Sequence, residues 1–337
     1  MKAGTLEGLC EAAAKGMELD VKQILEAGVD VSDFDSKGLT PLMHAALNGH
    51  ASVLNTLLEA GAPWNALDPS GRCAGDYALE NEHQDAIEVL LNAGIRAELI
   101  FGAVERPCRK KGDAKNKVYL EERAEFSEGR LMDEESNAVM MEWENPLMAV
   151  HAKVVCSGGG DILNIGFGMG LVDTAIQSHD ISSHTIIEAH PDVYARMLAT
   201  GWGEIPNVRV IFGRWQDVLP QLGTYDGIFF DTFGEYYEDM REFHECLPRL
   251  LKKDGRYSFF NGMCGDNAFF HLVYCEIVKL ELAALGIETE FIPIPVRHCL
   301  DEKIWKGVQH KYWQLDTYSV PFCYLSDEQN KDQTGNQ

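Results

Sequence analysis

Gly166, Gly168 and Gly170 stand at alternate positions directly after the apolar run Ile162–Ile165. Without Cβ atoms the chain there can turn tightly and come close to a ligand. The same turn presents the N–H groups of the following helix to polar or anionic ligand atoms. A second apolar run, Thr185-Ile-Ile, ends in Glu188, 22 residues beyond Gly166. An interval of about 20 residues is the one at which a nucleotide-binding βαβ unit sets a carboxylate on a ribose diol. A third run, Tyr225–Phe230, ends in Asp231. In an open parallel sheet the ligand crevice lies outside the carboxyl ends of the strands, so Asp231 points at the crevice of the glycines. Finally, Trp143 stands between Glu142 and Glu144, just before Pro146 and the helix that leads to the glycine-rich strand. Burying that ring brings a neighbouring carboxylate close to the pocket.

These residues need an α/β sheet to position them. The strands Ile162–Ile165, Thr185–Glu188, Asn207–Phe212 and Tyr225–Asp231 alternate with amphipathic runs such as Leu171–Gln177. The strand at Asn207 delivers Gly213-Arg-Trp-Gln-Asp217, where an aromatic and polar side chains can hold an adenine ring. Leu247–Gly255 is predicted to close a helix and Arg256–Phe260 to form a fifth strand. Thr289–Pro295 and Tyr312–Tyr318 are predicted as the last two strands. The second glycine pair of a dinucleotide fingerprint is absent, and the short form suits S-adenosylmethionine better than NAD.

The N-terminal third repeats every 33 residues: Leu25 falls on Leu58 and Leu91, Gly28 on Gly61 and Gly94, and His50 on His83. That is the period of ankyrin units, each a turn and two short antiparallel helices. The middle copy, Gly38-Leu-Thr-Pro-Leu-Met-His-Ala-Ala-Leu-Asn-Gly-His50, places Pro41 in a first helical turn. The third copy has drifted at Arg72–Asp76, as capping units do. His44, His50 and His83 read as scaffold. The stack is read as a partner-binding surface, with a solubilising spacer as the alternative.

The chain has 29 basic and 53 acidic side chains in 337 residues, net −24. Such a field repels nucleic acid and anionic membrane and favours a cationic partner. The nine cysteines show no metal-ligand spacing and read as reduced thiols. The expected organisation is repeats over 1–102, a linker over 103–117 that includes the basic stretch Arg106–Asp113, an α/β domain over 118–326, and a disordered tail over 327–337.

Met140–Met148, Ile162–Gly170, Ile187-Glu188, Gly213–Asp217 and Asp226–Thr232 together resemble the motif series of the guanidinoacetate N-methyltransferase family, over residues 118–320. Ankyrin repeats ahead of such a domain resemble the branch that methylates the internal (delta) guanidino nitrogen of protein arginine. The resemblance implies a Rossmann-like class I methyltransferase with a mostly parallel seven-stranded sheet, preceded by an all-α ankyrin domain. It implies that Glu144 and Asp231 grip a guanidinium, with Trp143, Thr232 and Asn261 on the substrate side. It implies S-adenosylmethionine among Met140, Asn164, Gly166, Phe167, Gly168, Met169, Gly170, Glu188, His190, Gly213, Trp215, Gln216 and Asp231, and no metal. Asn164 departs from the family, which often carries an acid there; its amide oxygen can still accept a bond from the cofactor's ammonium, without charge assistance.

A guanidinium is a planar fork of donors that stays protonated below a pH of about 12. Two carboxylates can hold that plane and localise its charge away from the reacting nitrogen. His244, the other apparent base, sits on a helix away from the strand ends. The expected partner is a basic protein, a ribosomal one among the candidates the resemblance offers, docked on the repeats by a monomer in the cytoplasm and/or nucleus. The alternatives are a small-molecule guanidino methyltransferase and an inactive ankyrin scaffold.

Overall fold

The structure is a computed structural model and describes residues 4–106 and 116–326. Past Arg106, the basic stretch of the expected linker lies outside the described residues, as does the tail from Asp327. Contacts divide the chain into two units, Met1–Lys110 with Asn267–Ile277, and Lys111–Asp266 with Val278–Gln337. The sequence reading leaves 267–277 inside the second domain, whereas the contacts group it with the repeats.

In the first unit, helices α1 (Leu6–Ala14), α2 (Glu18–Glu26), α3 (Pro41–Leu47), α4 (Ala51–Glu59), α5 (Ala74–Glu80) and α6 (Gln84–Glu105) form three hairpins. Thr40 caps α3 by accepting from the Met43 N–H at 3.2 Å. His50 Nε2 donates to the Ala14 carbonyl at 3.1 Å, and His83 Nε2 to the Leu47 carbonyl at 3.2 Å. These are the same bond one repeat apart, which fixes both histidines as scaffold. His44 bonds Asp35 at 2.9 Å; one repeat on, the Tyr77 hydroxyl donates to Asp68 at 2.6 Å. Cys10, Asp35 and His44 bring ligand-type atoms within 4.8 Å of one another. Burial pushes the Cys10 thiol up to about 12, and Asp35 already accepts from Lys37, Leu39 and His44, so the cluster is part of the scaffold. The drift of the third copy has a packing cause. Gly75 stands where the middle copy has Leu42, and a Cβ on it would lie 2.0 Å from the Phe269 ring. The Asp76 carboxylate accepts from Asn267 Nδ2 at 2.7 Å and from the Phe269 N–H at 3.2 Å.

The second unit contains α7 (Lys117–Glu121), a small sheet β1 (Glu125–Ser127), β2 (Arg130–Met132) and β3 (Ala138–Met141), then α8 (Asn145–Val155), β4 (Asp161–Ile165), α9 (Leu171–Ile176), β5 (Ser183–Glu188), α10 (Pro191–Ala199), β6 (Val208–Phe212), α11 (Trp215–Val218), β7 (Tyr225–Phe230), α12 (Tyr237–His244), α13 (Leu247–Leu250) and β8 (Leu251–Phe259). Helix α14 (Ala268–Ala284) begins in the first unit and continues here, before β9 (Ile287–Pro295) and β10 (Thr317–Leu325). The large sheet has seven strands in the order β6-β5-β4-β7-β8-β10-β9. The first five are mutually parallel, and β10 is antiparallel to both its neighbours. Successive residues of the central strands enter opposite cores. Ile162, Ile186 and Phe229 pack with α8, α9 and α10, while Leu163, Ile187 and Ile228 pack with α12, α13 and the end of α14. This is the Rossmann-like arrangement expected from the sequence. Among the described residues no helix is long and apolar enough to cross a membrane.

Two boundaries differ from the sequence reading. Lys252–Gly255, expected in a helix, lies inside β8. There Asp254 takes φ +66°, the pairing with β7 shifts register, and Lys252 Nζ bridges Asp161 and Asp226 at 2.7 Å each. The last strand starts at Thr317, so Tyr312 and Trp313 belong to the connection before it. Their aromatic pattern serves packing rather than a pleat.

Candidate active site

The ladder runs one residue past each central strand. Gly166 N–H donates to the Ile187 carbonyl, Gly213 N–H to Glu188, Asp231 N–H to Ile165 and Phe260 N–H to Phe230, at 2.9, 2.9, 2.9 and 3.0 Å. The residues at these strand ends are thereby fixed in one row. They line a cavity of about 340 Å³. At its floor Gly166 has φ +93°, and a Cβ there would lie 1.7 Å from the Asp231 carbonyl oxygen. Gly168 passes under Met140, whose Cε would be 2.8 Å from an added Cβ. At Gly166 the obstacle is main chain and only glycine allows the approach, whereas at Gly168 the Met140 side chain could shift and φ +56° is what favours glycine.

Three acids converge. Glu188 accepts from the Phe167 N–H at 2.9 Å, the Gly168 N–H at 3.4 Å and the His190 N–H at 2.6 Å. Burial pushes its carboxyl up, and these backbone donors oppose the shift. Glu144 follows β3 on the 3₁₀ turn Glu142–Glu144, fully enclosed. Its Oε1 accepts from the Met141 N–H at 2.9 Å and from the Tyr312 hydroxyl. Burial, and then the proximity of Asp231, push Glu144 up to about 8. Burial, and then Glu188, push Asp231 up to about 7. A cavity that holds two such acids favours a cation that restores their ionised forms.

The cavity brings together Met140, Glu144, Gly166, Gly168, Glu188, Gly213, Trp215, Gln216, Asp231 and Thr232. Seven other expected site residues do not line it. Asn164 does not line it: its Nδ2 donates to the Gly166 carbonyl at 2.9 Å and to Asp173 Oδ1 at 2.7 Å, while its buried Oδ1, the atom expected to accept from the cofactor, has no partner among the described residues. Phe167 packs edge-on against Trp202 at 5.4 Å and under Gly170, which starts α9 in the left-handed region. Met169 is held by its N–H on Met140 Sδ at 3.2 Å. His190 Nδ1 accepts from the Asp192 N–H at 3.1 Å, capping α10, and burial pushes its ring down. Trp143 is buried behind Tyr312, ring centroids 5.8 Å apart. Asn261 Nδ2 donates to the Ser319 carbonyl at 3.0 Å, tying β8 to β10. These side chains hold the site from outside. His244 bonds the Tyr257 hydroxyl at 3.0 Å and is pushed down to about 3 by burial, in the opposite core.

Sequence reasoning missed Glu235, Tyr119 and Tyr312. Glu235 accepts from Trp215 Nε1, Gln216 Nε2 and Thr232 Oγ1 at 3.0, 2.9 and 2.7 Å, tying the ends of β6 and β7. It stands four positions after Asp231 on a strand-end loop, a signal that was available. Tyr119 on α7 packs on His190 at 4.6 Å and Phe233 at 4.8 Å. No pattern around Tyr119 or Tyr312 announces them.

The family model of guanidinoacetate N-methyltransferase matches residues 107–280, and an ankyrin-repeat model of three copies matches residues 9–99. Over 221 residues the chain is 42% identical to protein arginine N-methyltransferase 2 of Aspergillus oryzae, covering 64% of this chain and 53% of that protein. The protein of the same name from Aspergillus fumigatus is 42% identical over 221 residues, 64% and 52% of the two chains. The one from Saccharomyces cerevisiae is 37% identical over 221 residues, 62% and 53%. The chain thus spans about half the length of the curated relatives it matches.

Proposed function

The chain belongs to the guanidinoacetate N-methyltransferase family, and from that premise we propose that it methylates a guanidino nitrogen, the delta nitrogen of arginine in a basic protein, using S-adenosylmethionine. The observation that carries this reading is the pair Glu144 and Asp231. Two acids from distant parts of the chain share one cavity with a glycine turn. Burial drives both toward neutrality until a cation arrives.

The cavity suits the cofactor. Gly166 lets the floor close against the Asp231 carbonyl without a side chain intruding, Glu188 lines the wall, and Gln216 Oε1 is a buried acceptor with no donor among the described residues. A ribose diol and an exocyclic amine are groups that would answer the last two. Bound S-adenosylmethionine supplies a methyl group on a sulfonium. The protein's part is positioning and charge. Glu144 and Asp231 hold the guanidinium plane against the end of β7. Their negative charge draws the positive charge toward the nitrogens they touch, leaving lone-pair density on the nitrogen that attacks. That nitrogen becomes acidic as it is alkylated, and a carboxylate oxygen of Asp231 or Glu144 takes its proton.

The repeats and the net charge of −24 support a basic protein as the substrate. The family's name supports the second reading, a small guanidino acid. Incubation with radiolabelled cofactor, a basic arginine-rich protein and free guanidinoacetate separates the two. Delta-N-methylarginine in the protein hydrolysate supports the first reading. Label confined to the small molecule supports the second, and no label in either sinks both. The monomeric state and the cytoplasmic or nuclear setting remain part of the same proposal, open to sedimentation and imaging.

A further inference from the structure

The connection between β9 and β10, residues 296–316, lies beyond the span matched by the family model. It is pinned at several points. The Arg130 guanidinium donates to the carbonyls of Ile304 at 2.5 Å and Lys306 at 2.6 Å. His298 Nε2 donates to the Trp143 carbonyl at 3.0 Å, Trp305 Nε1 to the Cys299 carbonyl at 2.6 Å, and Gln314 N–H to the Gly265 carbonyl at 2.6 Å. So held, it delivers Tyr312 into the cavity. The ring is tilted against Trp143 at 5.8 Å and stands edge-on to Trp305 at 5.0 Å. Its hydroxyl meets Glu144 Oε1, which also accepts from Met141 N–H. No donor among the described residues reaches Glu144 Oε2.

We propose that Tyr312 is a positioning residue whose hydroxyl, together with the Met141 N–H, occupies Oε1 of Glu144 and leaves Oε2 alone to meet the guanidino group. A parallel fork on a guanidinium needs both oxygens of a carboxylate. With Oε1 taken, Glu144 meets the plane end-on through one oxygen, and Asp231 is the acid with both oxygens to offer. Tyr312 also favours the ionised carboxylate, because a donor to a carboxylate stabilises its charged form. Burial, and then Glu144 itself, raise the phenol, so Tyr312 remains the donor. Among the described residues the other titratable group facing Glu144 is Asp231; Glu142 on the same turn is exposed, and His298 is engaged with Trp143, through its carbonyl and its ring.

The inference rests on the guanidino reading of the cavity, and its test separates the two. Tyr312→Phe removes the hydroxyl and keeps the ring. Difference infrared titration of the Glu144 carboxyl, with Glu144→Gln as the blank, is expected to show the midpoint moved up by about one pH unit, an about tenfold change in ionisation. The acidic limb of kcat/KM for a guanidino substrate moves up with it, so that a loss near neutrality is regained in alkali. Cofactor affinity is unchanged. Tyr312→3-fluorotyrosine, a stronger donor, moves the midpoint the other way. A midpoint unmoved in both variants, or a loss equal at every pH, overturns the proposal. Absence of guanidino transfer by the unmodified protein overturns the functional reading instead, and the infrared titration still decides the role of Tyr312.

Discussion

The carbonyl oxygen of Asp231 occupies the space where a side chain on Gly166 would begin, 1.7 Å from the missing Cβ. The floor of the cavity and the main chain of Asp231 are thereby in direct contact. Gly166→Ala cannot be relieved by rotating a side chain, because the obstacle is main chain, and φ +93° adds strain. We expect a loss of about 1–3 kcal/mol of stability and of S-adenosylhomocysteine binding. Denaturant unfolding and calorimetry would check this, and a folded variant that binds normally would contradict the assignment.

Glu144→Gln and Asp231→Asn keep shape and remove charge. We expect turnover of a guanidino substrate to fall by about a hundredfold or more, with cofactor binding within about twofold of the starting protein. Cofactor binding lost in both variants would mean that the acids serve the cavity rather than the substrate.

The same acids predict how stability depends on pH. Their folded pKa values, about 8 for Glu144 and about 7 for Asp231, lie above the unfolded carboxyl range. Between the unfolded and folded values the native state holds more protons than the unfolded one, so stability falls as pH rises across that window. Thermal melts without ligand should show a decline from about pH 4.5 to about pH 8. Glu144→Gln should flatten it and raise the melting temperature at the alkaline end. A variant that melts lower than the parent at pH 8 would refute this account.

Much of the site was legible because its parts sit at strand ends, where sequence order and spatial order coincide. The glycines, Glu188 and Asp231 are each found by following an apolar run to its last residue. The tryptophan between Glu142 and Glu144 pointed to one of its two flanking acids, and only the family resemblance singled out Glu144. What could not be read depends on long-range packing. Tyr312 reaches Glu144 across 168 positions. Asn164 and His190 stand at positions that suggest ligand contact, yet Asp173 and the start of α10 hold the one and the other. The Lys-Lys-Asp-Gly sequence at 252–255 reads as a helix stop because a bulge inside a strand uses the same residue types.

In the repeats, Gly75 marks a place where a local pattern was given up for a distant side chain. Gly75→Leu restores the residue of the middle copy. It should cost about 1–3 kcal/mol, because Phe269 already fills the space at 2.0 Å from the new Cβ. Adding Phe269→Ala should recover part of the loss in a double-mutant cycle. Additive losses would show that the two positions do not compete.

A change at Gln216 can tell cofactor binding from substrate binding. Its Nε2 is committed to Glu235 at 2.9 Å, which fixes the amide's orientation and leaves the buried Oε1 in the cavity wall with no donor among the described residues. An acceptor enclosed in that way is costly unless a ligand N–H meets it. Gln216→Leu removes both the acceptor and the tie to Glu235. We expect S-adenosylhomocysteine to bind about tenfold more weakly, with the KM for the guanidino substrate little changed at saturating cofactor. Calorimetry and initial rates give the two numbers separately. A rise confined to the substrate KM would move Gln216 from the cofactor side of the cavity to the substrate side, and the adenine position would have to be sought elsewhere along the strand ends.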